Sequence, residues 1–194
     1  MPGTLSIPVN PPVTVDGGGT IDGLTLRELT GLEVLQAEEA LMKAGGSPAA
    51  TRMHDGALLA LASGVSIEAL KRLPVTVTDQ ALRFVSDLNE SNPDPLKNPP
   101  PQLQIPLPDG TSYGGATFER MTLQEPLLGQ VWTAEAAFNE GVGLPQIRKF
   151  KMLLAAQVSG IPYAAVEKLP VSLINQAAAY CRGFRVAGPQ TGVS

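Results

Sequence analysis

Thr20-Ile21-Asp22-Gly23-Leu24-Thr25-Leu26-Arg27-Glu28 lies without a gap over Thr117-Phe118-Glu119-Arg120-Met121-Thr122-Leu123-Gln124-Glu125. The register continues, with Val34, Ala37, Glu38 and Ala40 falling on Val131, Ala134, Glu135 and Ala137. A later block, Ser63-Gly64-Val65-Ser66-Ile67-Glu68-Ala69-Leu70-Lys71-Arg72-Leu73-Pro74-Val75, matches Ser159-Gly160-Ile161-Pro162-Tyr163-Ala164-Ala165-Val166-Glu167-Lys168-Leu169-Pro170-Val171, with the offset changed by one residue. Two blocks in one order at nearly one spacing mark an internal duplication, and a duplication sets the domain count before any other motif is read.

Each copy reads the same way. Val13-Thr14-Val15, a turn at Asp16-Gly17-Gly18-Gly19 and a return strand through Leu24 and Leu26 predict a β-hairpin; Gln104 to Leu107, a loop at Asp109-Gly110 and a return through Met121 and Leu123 predict its twin. Leu24 and Leu26, like Met121 and Leu123, share one strand face by alternation, and that face needs helices to cover it. The first helix carries the stripe Val34, Ala37 and Leu41, matched by Val131, Ala134 and Phe138. Thr30 and Glu33 offer it a capping box, and Pro126 suits an opening position in the second copy.

Further helices are predicted over Ala50–Ala62 and Gln146–Val158, stopped by Ser63-Gly64 and Ser159-Gly160, then a short one before Leu73-Pro74 and before Leu169-Pro170. The last helix repeats Val77, Ala81, Phe84, Val85 and Leu88 as Leu173, Ala177, Tyr180, Cys181 and Phe184, with Thr76 and Ser172 placed to cap it. The fold class is α+β: two tandem homologous modules, each an N-terminal β-hairpin followed by three to four packed α-helices. The modules are assigned to 1–90 and 102–186, with a proline-rich linker at 91–101 and a tail at 187–194. Prolines hold the linker extended, as a semi-rigid spacer or, alternatively, a polyproline ligand for an aromatic groove.

The composition narrows the function classes. Of the 194 residues, 43% are hydrophobic and only 16% charged, where about 25% charged is usual. Net charge is −4 with a pI near 5.0, which gives no electrostatic footprint for nucleic acid or an anionic membrane. The charge is uneven: 12 acidic and 6 basic residues up to Leu96, net −6, against 6 acidic and 8 basic from Lys97 onward, net +2. Met1–Val15, interrupted by Pro2, Pro8, Pro11 and Pro12 and lacking a basic start, does not read as a signal peptide. The apolar stretch Met152–Val166 is too short and interrupted to span a bilayer.

Candidate chemistry is sparse. His54, the one histidine, corresponds to Phe150, so an imidazole is not required at that place in the unit. Cys181 stands where the first copy has Val85 and reads as a small buried hydrophobe; a lone cysteine forms neither an intramolecular disulfide nor a multi-cysteine zinc site. Gly17-Gly18-Gly19 lacks the strand–loop–helix context and the lysine of a phosphate loop. Arg148, Lys149 and Lys151, near Lys168, form a basic cluster, either a solvated face or a site for an anionic partner. Glu38 and Glu135 stand to pair with Arg52 and Arg148, or to serve as partner-binding charges. Trp132 replaces Leu35, as a core filler or an interface anchor. Leu35, Trp132, Arg148, Lys149 and Lys151 are the candidate partner-binding residues; no catalytic, cofactor or metal residue is assigned.

The unit resembles the tail assembly chaperones of Mu-like bacteriophages and their prophage relatives. Leu24-Thr25-Leu26-Arg27-Glu28 and Met121-Thr122-Leu123-Gln124-Glu125-Pro126 carry one signature, and Ser63-Gly64 to Leu73-Pro74 and Ser159-Gly160 to Leu169-Pro170 the other. The chain departs from the usual pattern in having two units. The resemblance implies a non-catalytic helper in the host cell cytoplasm, without cofactor. Such a helper binds the tape measure protein, keeps it soluble and promotes assembly of the tail tube around it; the tail tube protein and self-association are further partner expectations, nucleic acid and membrane are not. A mean hydropathy of +0.08 is compatible with apolar grooves for a helical client. The alternative is a structural virion protein, of tail or neck, built from two repeated modules. An enzyme would need a pocket joining His54 or Cys181 to carboxylates.

Overall fold

The computed structural model describes residues 3–15, 19–90, 93–108 and 111–186. The centre of the expected glycine turn at Asp16-Gly17-Gly18, the Asp109-Gly110 loop and the 187–194 tail lie outside them. The chain divides into two compact units, Met1–Ser91 and Asn92–Ser194, each an antiparallel ribbon followed by helices. The fold is thus α+β with the duplicated plan.

In the first unit β1 (Thr4–Thr14) pairs with β2 (Thr20–Arg27), from Thr4 opposite Arg27 to Thr14 opposite Thr20. The strand begins well before Val13, where the sequence suggested it, despite Pro8, Pro11 and Pro12. In a two-stranded ribbon each strand is an edge, so a missing N–H can face outward. The register shifts between Pro8 and Val13, absorbing the proline pair. Ile7 and Val9 alternate inward beside Leu24 and Leu26, all buried, and the ribbon packs on α2 (Pro48–Ser63) and α4 (Val75–Glu90). Full burial of one such leucine contributes roughly 1.5–3 kcal/mol.

Between ribbon and helices comes α1 (Gly31–Lys43), started by the expected capping box. Glu33 N–H donates to Thr30 Oγ1 at 3.3 Å, and Thr30 N–H donates to Glu33 Oε2 at 2.9 Å. Arg27, the last residue of β2, donates to the same carboxylate through Nη2 at 2.6 Å and Nη1 at 2.9 Å. Partial burial pushes the Glu33 carboxyl up, but the Arg27 guanidinium and the Thr30 donors outweigh it and hold the group below the usual carboxylate range. Arg27 is raised, first by its bond to Glu33. The second unit replaces this ionic clamp with a neutral one: Gln130 Oε1 accepts from Leu127 N–H at 2.8 Å while Gln130 Nε2 donates to Gln157 O at 2.7 Å.

Both units then follow one course. In the first, serine caps open α2 and α3 (Ile67–Leu70), and in both the long middle helix ends at a left-handed glycine, Gly64 with φ 70° and Gly160 with φ 72°, a stop that glycine takes without a side-chain clash. The second unit has β3 (Gln102–Pro106) paired with β6 (Arg120–Gln124), and a short inserted hairpin of β4 (Ser112–Tyr113) and β5 (Ala116–Thr117). Then come α5 (Leu128–Glu135), a 3-10 turn (Ala136–Phe138), α6 (Leu144–Ser159), α7 (Tyr163–Val166) and α8 (Val171–Val186). Pro126 falls before the Leu127 N-cap of α5 rather than inside its first turn. Thr76 and Ser172 lie within the last helices, which begin one residue earlier; Pro74 O accepts from Val77 and Thr78 N–H, and Pro170 O from Leu173 and Ile174 N–H.

The segment 93–100 runs against α8. Tyr180 Oη donates to Pro100 O at 2.9 Å and Arg182 Nη2 to Pro93 O at 3.1 Å. At Gly183 an added Cβ would stand 2.6 Å from Leu96 O and 3.3 Å from Pro99 Cγ, so the strap passes where only glycine leaves room. The matching residue in the first unit is Asp87. Burial pushes the Tyr180 hydroxyl up, and its ring meets Phe184 edge-on at 5.2 Å.

Two outcomes follow from these contacts. Glu33→Gln should cost about 1 kcal/mol at pH 7. Because the folded-state carboxyl is held low, that contribution is present above the ordinary carboxylate pKa of about 4.3 and fades as pH falls through the folded value; urea unfolding of parent and variant should converge in acid. Gly183→Ala gains up to about 1 kcal/mol of helix propensity, yet forces a contact whose relief costs about 1–3 kcal/mol. The variant should unfold earlier and be cut faster by protease within 93–100; parent-like behaviour in both would refute the tight passage.

Candidate functional site

The first unit carries a groove of about 830 Å³, walled by α1, α2, α3 and α4. Ala37, Ala40 and Leu41 come from α1; Met53, His54, Gly56 and Ala57 from α2; Ile67 and Leu70 from α3; Val75, Thr78 and Leu82 from α4. Its lining is predominantly apolar, and Met53, Ile67 and Val75 are exposed along it, Val75 at 72%. The rim bears Asp55, Arg52 and the pair Glu68 with Lys71, whose Nζ donates to Oε1 at 2.7 Å. A smaller recess of about 420 Å³ on the outer face of α4 is lined by Thr76, Asp79, Gln80, Arg83, Phe84 and Asp87, mostly polar side chains.

The duplication shows why the large groove is open. Gly56 corresponds to Met152, Ala57 to Leu153, His54 to Phe150, Leu41 to Phe138 and Thr78 to Ile174. Larger side chains stand at those positions in the second unit, where Met152, Ile174 and Val171 are each 0% exposed and the Phe138 and Phe150 rings meet tilted at a 5.3 Å centroid distance. Val75 and Val171 are the same residue at the same place in the repeat, one mostly exposed and one sealed. Gly56 sharpens the point. It sits inside α2, a Cβ there would meet nothing within 4 Å, and its backbone is not left-handed. No local geometry demands glycine; its small size keeps the groove wide.

The five residues singled out from sequence occupy unlike surroundings. Leu35 is buried at 6% exposure, whereas its counterpart Trp132 is 64% exposed on α5, one turn after the exposed Leu128. Arg148 is buried; Lys149 and Lys151 are half-buried, and Lys151 Nζ donates to the buried Asn175 Oδ1 at 2.9 Å. Arg52, the counterpart of Arg148, is exposed on the rim of the groove. His54 stands half-buried in the groove wall with Nδ1 3.5 Å from Asp55 Oδ1, and Cys181 is buried in the other unit. Among the described residues no group of three His, Cys, Asp or Glu is placed to hold a metal ion, and no helix is long and apolar enough to cross a membrane.

The groove residues escaped the motif reading, although the signal lay in the repeat itself. Small residues in one copy face large ones in the other at Gly56/Met152, Ala57/Leu153 and Thr78/Ile174. Compared with known proteins, a family model described as "Phage tail assembly chaperone proteins, E, or 41 or 14" matches residues 7–88 and again residues 104–185. No curated protein and no solved structure matches the chain. Gly56→Ala should stabilise the protein by about 0.5–1 kcal/mol, the helix-propensity gain without a compensating clash; a lower melting temperature would show that the glycine has a structural role the geometry does not reveal.

Proposed function

The chain belongs to the phage tail assembly chaperone family through both of its halves, and from that membership we propose that it is a non-catalytic chaperone in the host cell cytoplasm that binds the tape measure protein and assists assembly of the tail tube. The observation that supports the reading most directly is the open apolar groove of the first unit. A chaperone for a long helical client has to cover apolar stripes that would otherwise associate with one another, and it does so by offering apolar surface of its own. Binding of that kind needs no ionisable constellation, and the residues gathered at the groove are the wall of a docking surface.

Co-expression with the phage's tape measure protein should yield a co-purifying complex and more soluble client than expression of the client alone. Failure of the two to associate under any condition would refute the reading. The same reading expects the chain to be missing from purified mature particles, since a chaperone departs; its stoichiometric presence there would instead make it a virion component.

A further inference from the structure

We propose that the duplicated units have divided the work: the groove of the first unit takes an amphipathic helix with a ridge of bulky aliphatic side chains and a basic polar face, while the second unit has closed the same groove with its own residues. This rests on the chaperone reading and assigns it a place and a ligand chemistry. The second unit supplies the template for the occupant. There the space is filled by Met152, Phe150 and Ile174, bulky apolar side chains projecting from helices. An occupant of the first unit has to deliver comparable side chains on one face.

Helical rather than extended backbone is required by the walls. Helices α1 to α4 line the groove, and their backbone hydrogen bonds are already made internally. An entering strand would find no sheet edge to pair with, leaving its own N–H and C=O groups unsatisfied against apolar walls, whereas a helix brings its backbone bonds with it. Spacings of three and four residues then place successive aliphatic side chains along the groove.

Charge selects the other face of that helix. Residues 1–91 hold 11 acidic and 6 basic side chains, net −5, whereas 92–194 hold 7 and 8, net +1. The rim itself carries both signs, so the preference comes from the field of the whole unit, which attracts a basic face and repels an acidic one.

The test uses the full chain and two synthetic helical peptides with the same Leu and Met ridge, one with lysine and one with glutamate at its polar positions. The lysine-faced peptide should bind at low salt, the glutamate-faced one at least about tenfold more weakly. The double variant Gly56→Met/Ala57→Leu, which copies the second unit, should lose at least about tenfold in affinity with an unchanged or raised melting temperature, while Val142→Ala, at an exposed apolar residue of the second unit, leaves binding intact. Equal binding by the filled variant, or equal binding of the two peptides, would overturn the proposal. So would a change of oligomeric state on filling, which would make a second copy the occupant. If the filled variant still co-purifies the tape measure protein, this inference fails and the chaperone reading stands. If the parent binds the peptide but never the tape measure protein, the chaperone reading fails alone.

Discussion

Everything in each unit depends on a ribbon that cannot stand alone. Two antiparallel strands bury one face at most, and an isolated hairpin is marginal in water. Leu24 and Leu26 in one unit, Met121 and Leu123 in the other, are nonetheless among the most buried side chains of the protein. Helices must therefore come down on that face, and the ribbon's end fixes where they start. Arg27, leaving β2, locks onto Glu33 in the first turn of α1, so the last strand residue and the first helical turn are one hydrogen-bonded joint. In the second unit Gln130 instead ties the N-cap of α5 to α6, through Leu127 N–H and Gln157 O, without charge.

Covering the ribbon uses one side of the helices and leaves the other free to differ. The two units show both outcomes from one plan. With Met152, Leu153, Phe150 and Ile174 the second unit buries this part of its helices, Met152 and Ile174 fully and the other two in part; with Gly56, Ala57, His54 and Thr78 the first unit leaves a groove there. Leaving apolar area in water forgoes about 25 cal/mol for each Å² that could have been buried. A mid-helix glycine adds a further cost of about 0.5–1 kcal/mol. At these positions neither cost is imposed by the fold, because the second unit has Met152 where the first has Gly56 and buries Val171 where the first exposes Val75.

The architecture was legible because its determinants are local. Alternation at Leu24/Leu26, the Thr30–Glu33 box and the left-handed stops at Gly64 and Gly160 each act within a few residues. What escaped was non-local. The β1 strand extends through prolines because the edge of a two-stranded ribbon tolerates missing donors, a fact about neighbours rather than residues. The strap 93–100 reads as a semi-rigid extended spacer from its prolines alone, and its course against α8 is set some eighty residues away, by the hydroxyl of Tyr180 and the absent side chain of Gly183. Burial likewise depends on what lies opposite, so Leu35 and Trp132, equivalent in the repeat, end on opposite sides of the solvent boundary.

Gly183 and Gly56 are both glycines inside helices, and their difference separates structural necessity from functional room. Around Gly183 a side chain has nowhere to go, because Leu96 O fills the position a Cβ would take. A Cβ placed on Gly56 would meet nothing within 4 Å beyond its own helix, and the helix would be more stable with almost any other residue. A glycine crowded by its neighbours is explained by those neighbours. A glycine facing empty apolar space is not, and the unfilled volume it preserves acquires a physical rationale once a partner's side chains occupy it. The gain from burying Met53, Ile67 and Val75 is then realised on binding rather than on folding, which places the free energy that the second unit invests in its own core at the disposal of an interaction in the first.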